Sequence, residues 1–399
     1  MAKSSSPSRK TEHRRSSIAD VVRERGPMTV AAFMDLALYD ADFGYYARAA
    51  QRSGRAGDFF TSVDVGPLFG ELLEIQLAEM STLTAEAAAH AQKVECSAPS
   101  AVRSFDLVEA GAGNGRLSAD ILRAARDRDP AFYDSLRLHL VETSDEARRA
   151  QADTLGDVAG RLASSTDSLP AMFQGVLVAN ELLDALPVHQ VVMRADGLRE
   201  VYVDSALHLI EGPLSTPALG EYLDRLGVSL EAGWRVEINL RAVDWIRDAA
   251  RRLERGFIIL IDYGHEAREL YSAAHADGTL TTFSRHRSRG PESAPETPAW
   301  LRQPGDQDLT AHVDFTSVRA GAEAEGLATL GFLDQTYFLL GLLPSVLNPQ
   351  SARNPQSAIR NVKTLVMPGG LGSTHKVLIL GKGVGTPALR GCSFRVRVT

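Results

Sequence analysis

The first residues that could do chemistry lie in the stretch LVEAGAGNGRL, residues 107–117. Gly111, Gly113 and Gly115 occupy every second position directly after an apolar run that ends in Glu109. Glycines at this spacing let the backbone turn sharply after a strand and approach a ligand closely. The stretch therefore predicts a binding loop for a small molecule, with the carboxylate of Glu109 beneath it.

Three ligand classes compete for such a loop. A nucleoside triphosphate is excluded because no Gly-Lys-Ser/Thr follows, as a P-loop requires. A dinucleotide expects the spacing G-x-G-x-x-G and an acidic residue about 20 residues further on. Here the spacing is G-x-G-x-G, and the acid at the next strand end, Glu142, lies farther along. Because Glu109 would repel a pyrophosphate but could hold an ammonium group, S-adenosylmethionine fits, with Glu142 on its ribose. The alternative is an ordinary turn beside a strand-end carboxylate.

Two further carboxylates follow the apolar run QGVLVAN. In a helical turn that starts at Asn180, Glu181 and Asp184 would be three positions apart and share a face. Two carboxylates on one face could fork around a guanidinium, localise its positive charge and eventually accept a proton. The structural alternative is an N-capping Asn180 followed by acids at a helix N-terminus, which is favourable by itself. The residues alone leave both alternatives open.

A third candidate group lies in DLTAHVDF, where four polar residues alternate: Asp308, Thr310, His312 and Asp314. A strand would place all four on one face, but a half-buried edge strand has the same pattern. A single histidine such as His312 is usually a satisfied polar residue. Asp262 ends the run FIILIDYG at the sheet edge where ligands collect, so a contact with substrate is an open possibility.

The elements that must position these residues alternate along the chain. Apolar strands (SFDLVEA, RLHLVET, QGVLVANEL, FIILIDYG) are separated by helices such as RLSADILRAARDR. This order indicates a doubly wound α/β sheet over roughly residues 100–270, which the late strand KVLILGKG completes. In such a sheet a ligand binds beyond the carboxyl ends of the strands, where the strand order reverses. The glycine loop belongs at that point.

The rest of the chain is assigned around this core. We expect a disordered tail over residues 1–17, a helical extension over 18–100, and the core over 101–264 with a hairpin insertion over about 190–235. A helix-and-loop insertion over 265–372, and a final strand with a tail over 373–399, complete the assignment.

Composition narrows the function classes. The formal net charge of −7 argues against a general nucleic-acid binder. No apolar stretch reaches the roughly 20 residues that a membrane span needs. Two cysteines, Cys96 and Cys392, cannot make a disulfide framework or a zinc site, and they suit a reducing compartment. No metal is assigned, and the expected location is cytoplasmic, with the mitochondrial matrix as the alternative.

Six separated motifs carry a more specific signal: LALYDADFGYYAR (36–48), GDFFTSVDVGPLFGELL (57–73), VEAGAGNGRLSADIL (108–122), VANELLDALPVHQV (178–191), IDYG (261–264) and GDQDLTAHVDF (305–315). Together they resemble the MidA-like methyltransferases, whose mitochondrial members are the complex I assembly factor 7 proteins, protein-arginine methyltransferases. The resemblance implies a Rossmann-like, seven-stranded class I methyltransferase core with a helical N-terminal extension and inserted helical and loop segments.

The resemblance also implies S-adenosylmethionine as the cofactor and methyl transfer to arginine of a protein partner. The alternatives are a small-molecule N- or O-methyltransferase, and an S-adenosylmethionine-binding assembly factor with little turnover. A nicotinamide oxidoreductase is disfavoured by the glycine spacing. Neither a nucleic acid nor a membrane is expected as a partner, and a homodimer is left open.

Site residues follow from the same resemblance. The catalytic candidates are Glu181 and Asp184, with Asp308 and His312 as a base or substrate orienter. The cofactor candidates are Asp58, Thr61 and Ser62 in a covering loop, together with Glu109, Gly111, Gly113, Gly115, Glu142, Asp167 and Asn180. The chain departs from its family in LASSTDSLP, where relatives often carry a tryptophan, so the adenine contact near Asp167 is open.

Overall fold

The computed structural model describes residues 17–48, 61–95, 104–284, 287–289, 298–345, 362–366 and 374–394. The helices are α1 Ile18–Arg25, α2 Val30–Tyr39, α3 Leu68–Glu95, α4 Arg116–Arg128, α5 Pro130–Ser135, α6 Asp145–Leu155, α7 Ala218–Leu226, α8 Leu240–Arg252, α9 Ala267–Leu270, α10 Phe315–Ala324 and α11 Gln335–Leu342. None of the helices in these ranges combines the length and the apolar character that a membrane crossing requires.

The strands are β1 Met28–Thr29, β2 Phe105–Ala110, β3 Leu136–Val141, β4 Leu162–Thr166, β5 Phe173–Asn180, β6 His189–Arg194, β7 Gly197–Val203, β8 Leu209–Gly212, β9 Arg235–Ile238, β10 Leu253–His265, β11 Thr281–Ser284, β12 Arg287–Arg289, β13 Asp308–Thr310, β14 Val313–Asp314, β15 Ala328–Asp334 and β16 His375–Lys382. They form three sheets.

The main sheet follows the order β15-β16-β10-β5-β2-β3-β4, with β14 paired to the end of β10. The pairs from β10 through β4 are parallel, and β16 is antiparallel to both of its neighbours. The strand order therefore reverses at β2, which has β3 on one side and β5 on the other. The seven-stranded, doubly wound core is confirmed, and the glycine loop leaves the sheet at the reversal point.

Alternating side chains explain why both faces of this sheet are covered. Val176 and Ile259 belong to a core cluster with residues of α3, α4 and α11. Their chain neighbours Leu177 and Ile258 belong to a second cluster, with residues of α8 and α10. Since successive residues of a strand point to opposite faces, uninterrupted apolar strands require helices on both sides.

A second sheet joins distant parts of the chain. It has the order β1-β7-β6-β9, with β8 on the outer side of β7. The hairpin predicted around Asp196 and Gly197 is confirmed, because Arg194 pairs with Gly197 at its turn. Met28 of β1 pairs with Val203 of β7, so the N-terminal segment packs on this hairpin insertion. The division of the chain into segments stays a prediction.

Several elements differ from expectation. The stretch expected as a surface excursion after residue 84 continues helix α3 to Glu95, since alanine is the best helix former. Helix α8 ends at Arg252 rather than near Gly256, because β10 already begins at Leu253. Strand β15, inside a segment expected to hold helices and loops, pairs with β16 and forms an edge of the main sheet.

Candidate functional site

The glycine loop adopts a conformation that few other residues tolerate. Gly111, Gly113 and Gly115 have φ values of 71°, 51° and 83°, in the left-handed region. A Cβ atom on Gly113 would meet nothing within 4 Å, so this glycine faces open space. Gly115 instead packs on the side chain of Leu140 and begins helix α4. The loop therefore opens towards a ligand at Gly113.

A cavity of about 780 Å³ lies beside this loop. Its lining includes eight residues predicted from the sequence: Thr61, Glu109, Gly111, Gly113, Glu142, Asp167, Asn180 and Glu181. Such a volume suits a ligand the size of a nucleoside with an attached amino acid. The carboxyl ends of β2, β3 and β5 thus meet at one concave site.

Glu109 lies at the bottom of this site. Ser118 donates to Oε2 of Glu109 through its hydroxyl and, at 3.2 Å, through its backbone N–H. Burial outweighs these two bonds and raises the pKa of Glu109 to about 7, and the nearby carboxylate of Glu142 adds to the rise. A cationic group in the cavity would oppose this effect, which fits the predicted ammonium contact.

Glu142 is fixed at the end of β3. Its Oε2 accepts a 2.8 Å bond from the backbone N–H of Gly113, and its Oε1 accepts one of 2.8 Å from Ser144. The glycine loop and the start of α6 therefore orient the carboxylate at the cavity wall. Its contact with the ribose of a cofactor stays a prediction.

Asn180 has a buried polar atom that no described residue satisfies. Its Nδ2 donates to Glu181 Oε1 at 3.3 Å, while its buried Oδ1 has no hydrogen-bond partner among the described residues. A buried carbonyl oxygen without a donor costs about 1–3 kcal/mol, which a donor on a ligand would recover. Asn180 ends β5 and does not cap a helix, so the structural alternative for this residue is wrong.

The predicted covering loop is only partly brought to the cavity. Asp58 lies outside the described residues. Thr61 lines the cavity and forms a capping box with Asp64, which pairs with Arg116 at the start of α4. Ser62 is fully buried and exchanges hydrogen bonds with Gln335, so its hydroxyl supports the fold away from the cavity.

Glu181 occupies a strained position between the end of β5 and the cavity. Its φ of 52° is uncommon for a residue with a side chain. Its backbone N–H donates to Ile261 of β10 at 2.8 Å, which holds this conformation. Strain of this kind persists where the surroundings impose it and is concentrated at functional sites. The side chain lines the cavity and lies 3.5 Å from Nε2 of His375.

The predicted helical turn at Asn180 does not form. Instead, Oδ2 of Asp262 accepts bonds from the backbone N–H groups of Leu182, Leu183 and Asp184, at 3.1, 2.7 and 3.4 Å. Asp262 is thus a support for the turn rather than a group in the cavity wall. Asp184 is buried behind the wall and does not share an exposed face with Glu181.

Burial and like charge act together on these acids. The pKa of Asp184 is raised well above its ordinary value by burial and by Asp262, Glu181 and Asp308. Burial also raises the pKa of Asp262, despite its backbone hydrogen bonds. The turn therefore has an excess of carboxyl groups, and a cation placed beside it would relieve their repulsion.

Two tyrosines of the motif LALYDADFGYYAR, to which no role was assigned from the sequence, complete the cavity wall. The Tyr46 hydroxyl donates to Oδ1 of Asp308 at 2.7 Å, and the Tyr39 hydroxyl donates to the carbonyl of Ala185 at 3.0 Å. Both tyrosines line the cavity. Asp308 is itself buried behind Tyr46. Their signal in the sequence was the motif LALYDADFGYYAR, where neither residue has a charge that would mark it.

The alternating residues of DLTAHVDF do not share one face. Asp308 and Thr310 lie on β13 and Asp314 lies on β14, in different sheets, while His312 lies between the two strands. Asp314 caps α10 through Thr316 and accepts a 2.7 Å bond from Tyr222, so it is structural. His312 is not among the described residues that line the cavity and instead contacts two other histidines. The structure therefore does not bring His312 to the site as a base.

Comparison with known proteins gives this site a context. Residues 82–333 match the family described as S-adenosyl-L-methionine-dependent methyltransferases. A solved structure from Burkholderia thailandensis, bound to S-adenosylhomocysteine, is 28% identical and superposes with a TM-score of 0.80. The match covers 96% of this chain and 95% of that one.

Curated relatives are also similar over most of their length. The rat mitochondrial protein arginine methyltransferase NDUFAF7 is 30% identical, over 80% of this chain and 71% of the relative. Its Drosophila melanogaster homologue, also mitochondrial, is 29% identical over 94% of this chain and 87% of the relative. These names agree with the mitochondrial alternative for location and give the cytoplasmic expectation no support.

Proposed function

The chain belongs to the family of S-adenosyl-L-methionine-dependent methyltransferases, and from this membership we propose that it methylates an arginine side chain of a partner protein. The observation that carries the proposal is a group of four acids around the turn after β5: Glu181 and Asp184 in the turn, Asp262 on β10 and Asp308 on β13. A guanidinium is positively charged at any pH in the cell and binds carboxylates through paired hydrogen bonds.

The residues of the cavity fit the cofactor. Buried Asn180 Oδ1 has no donor among the described residues, Gly113 leaves open space, and Glu109 is a carboxyl group that a cation would stabilise in its charged form. When bound, S-adenosylmethionine supplies a methyl group on a sulfonium. We assign the ribose to Glu142, the adenine side to Asp167, and the amino-acid tail to the region of Glu109.

Glu181 is the residue we assign to the substrate. It lines the cavity, and its strained backbone holds the carboxylate at the end of β5. A carboxylate there would hold the guanidinium and draw its positive charge towards the nitrogen that it bonds, which leaves another nitrogen better able to attack the methyl group. Asp184 and Asp308 are buried near Glu181. We therefore propose that they act on the substrate through their charge and do not contact it.

The names of the relatives support a protein substrate. The two alternatives remain distinct in their consequences. A small-molecule methyltransferase would leave its label in a low-molecular-weight fraction. An assembly factor with little turnover would bind S-adenosylhomocysteine and incorporate no label.

The test is incorporation of labelled methyl groups from S-adenosylmethionine into proteins of an extract from cells that lack this gene, followed by acid hydrolysis. We expect methylarginine with the wild type and with Glu254→Gln, an exposed matched control on β10, and none with Glu181→Gln. Calorimetry must show that all three bind S-adenosylhomocysteine. Label in another amino acid or only in small molecules would overturn the arginine assignment.

A further inference from the structure

Three histidines from separate segments converge outside the cofactor cavity. His265 ends β10, His275 ends the short helix Ala273–His275, and His312 lies between β13 and β14. Their ring centroids are 4.8, 5.2 and 5.9 Å apart, and one ligand nitrogen from each lies within 4.8 Å of the others. We propose that these histidines bind a divalent transition-metal ion, with zinc as the expected occupant.

The contacts around His265 and His275 leave nitrogen lone pairs available. Nδ1 of His275 lies 3.0 Å from the backbone carbonyl of Glu269, and only an N–H can satisfy that contact. Nε2 of His275 is then the acceptor nitrogen of a neutral ring. Nδ1 of His265 lies 3.1 Å from Oε1 of the same Glu269, but this buried nitrogen makes no hydrogen bond with a described residue, so a neutral His265 keeps a lone pair for a metal ion. A carboxylate or carbonyl behind a histidine is the usual support of a metal ligand.

His312 has a buried nitrogen that needs a partner. Its Nδ1 has no hydrogen bond to any described residue. A neutral imidazole offers one ring nitrogen to a metal ion. A bound cation would satisfy the orphaned nitrogen.

The three rings must move slightly closer together to bind one ion. Zinc–nitrogen bonds of about 2.0–2.1 Å at tetrahedral angles separate ligand nitrogens by about 3.3 Å, so the rings must approach by ~1.5 Å. The partly exposed short helix Ala273–His275 can supply this shift. A water molecule would complete the coordination. The charges that face the cluster are Glu269, which favours a cation, and Lys376, whose ammonium is paired with Asp334 at 2.5 Å.

The ion would join three segments that support the substrate side of the site. Strand β10 carries Asp262, and the connection through His312 follows directly after Asp308 and Thr310 of β13. None of the three histidines is among the described residues that line the cofactor cavity. We therefore assign the ion a structural role, distinct from methyl transfer.

The experiment uses the full chain with any affinity tag removed, because a histidine tag binds metal. After dialysis against metal-free buffer, mass spectrometry should find about one equivalent of added zinc per chain. Cobalt in its place should give the visible absorption of a tetrahedral Co²⁺ site. The matched control is His208→Ala, which removes an exposed histidine of the hairpin insertion.

His312→Ala and the milder His275→Gln should each lose the cobalt absorption and bind zinc at least tenfold more weakly than the wild type. His208→Ala should keep the wild-type absorption and zinc affinity. Circular dichroism and binding of S-adenosylhomocysteine must be unchanged in His275→Gln, which separates loss of the ion from loss of the fold. Wild type without stoichiometric zinc, or variants that bind as much as wild type, would overturn the proposal.

Discussion

The carboxylate of Asp262 accepts a 2.7 Å hydrogen bond from the backbone N–H of Leu183, so the end of β10 fixes the turn that follows β5. The same oxygen accepts from the two flanking N–H groups. One side chain thus replaces the helical turn that the sequence led us to expect. The position of Glu181 at the cavity depends on this arrangement.

Asp262→Ala should therefore lower the free energy of unfolding by about 1–3 kcal/mol, because two buried N–H groups and one partly buried N–H group lose their acceptor. Urea denaturation followed by circular dichroism measures the difference. The matched control is Asp153→Ala, at an exposed position on helix α6. Its free energy of unfolding should lie within about 0.5 kcal/mol of the wild-type value. Equal stability of the two variants would mean that Asp262 does not hold the turn.

The raised pKa of Glu109 predicts a pH-dependent cofactor affinity. Without a ligand the carboxyl group has a pKa of about 7, and an ammonium group beside it would lower that value. Binding then favours the deprotonated form, so affinity should increase as the pH rises towards 7 and level off above it. The slope can reach tenfold per pH unit. Calorimetry with S-adenosylhomocysteine between pH 5.5 and 7.5 measures this affinity. Repeating the titration in a second buffer of different ionisation enthalpy gives the number of protons released on binding.

Glu109→Gln is the control for this dependence, since the amide has the same shape and does not titrate. It should bind more weakly at pH 7.5 and with a flat profile below pH 7. A wild-type affinity that stays constant over this range would show that Glu109 does not respond to the ligand's charge.

Gly113 and Gly227 allow backbone strain to be separated from ligand contact. Both have positive φ, 51° and 62°, and a Cβ on either would meet nothing within 4 Å. Gly113 lines the cavity, whereas Gly227 follows helix α7. Alanine at either position should cost about 1 kcal/mol of stability. Only Gly113→Ala should weaken binding of S-adenosylhomocysteine, by tenfold or more, as measured by calorimetry. Equal affinities in the two variants would contradict the predicted approach of this loop to the ligand.

Local patterns explain which parts of this molecule were predictable. Helices α4 and α6, the hairpin at Gly197 and the glycine loop follow from contiguous residues whose spacing suffices to identify them. Seven of the eight predicted residues that line the cavity, all except Thr61, do so because the carboxyl ends of parallel strands meet at one edge. Because the sheet topology brings these strand ends together, the sequence pattern of each strand was enough to predict that its last residues reach the cavity.

What escaped prediction depends on contacts between distant segments. Tyr39 reaches the carbonyl of Ala185 across 146 positions, and no periodicity marks that contact. Asp184 and Asp262 looked alike as acids near strand ends, yet one is buried behind the wall and the other holds the turn. His312 was considered as a single histidine, because its partners belong to other segments.

The hydroxyl of Tyr46 offers a last test of the acidic group. It donates to Asp308 at 2.7 Å and lines the cavity, so it joins the carboxyl groups to the space where we place the substrate. Tyr46→Phe should leave the affinity for S-adenosylhomocysteine within about twofold, while methyl incorporation falls by about 10- to 100-fold, because a charge-assisted bond of about 1.5–3 kcal/mol is removed.

Tyr202→Phe is the matched variant, since its hydroxyl also donates a 2.7 Å bond, to Pro213 on the hairpin insertion. It should methylate at the wild-type rate. Initial rates of label incorporation at saturating S-adenosylmethionine compare the two. If Tyr46→Phe also loses affinity for the cofactor, this tyrosine contacts the cofactor and not the substrate. If its methylation rate is unchanged, Asp308 has no electrostatic effect on the substrate. The pair of phenylalanine variants thus decides whether the buried acids act on catalysis or only on the fold.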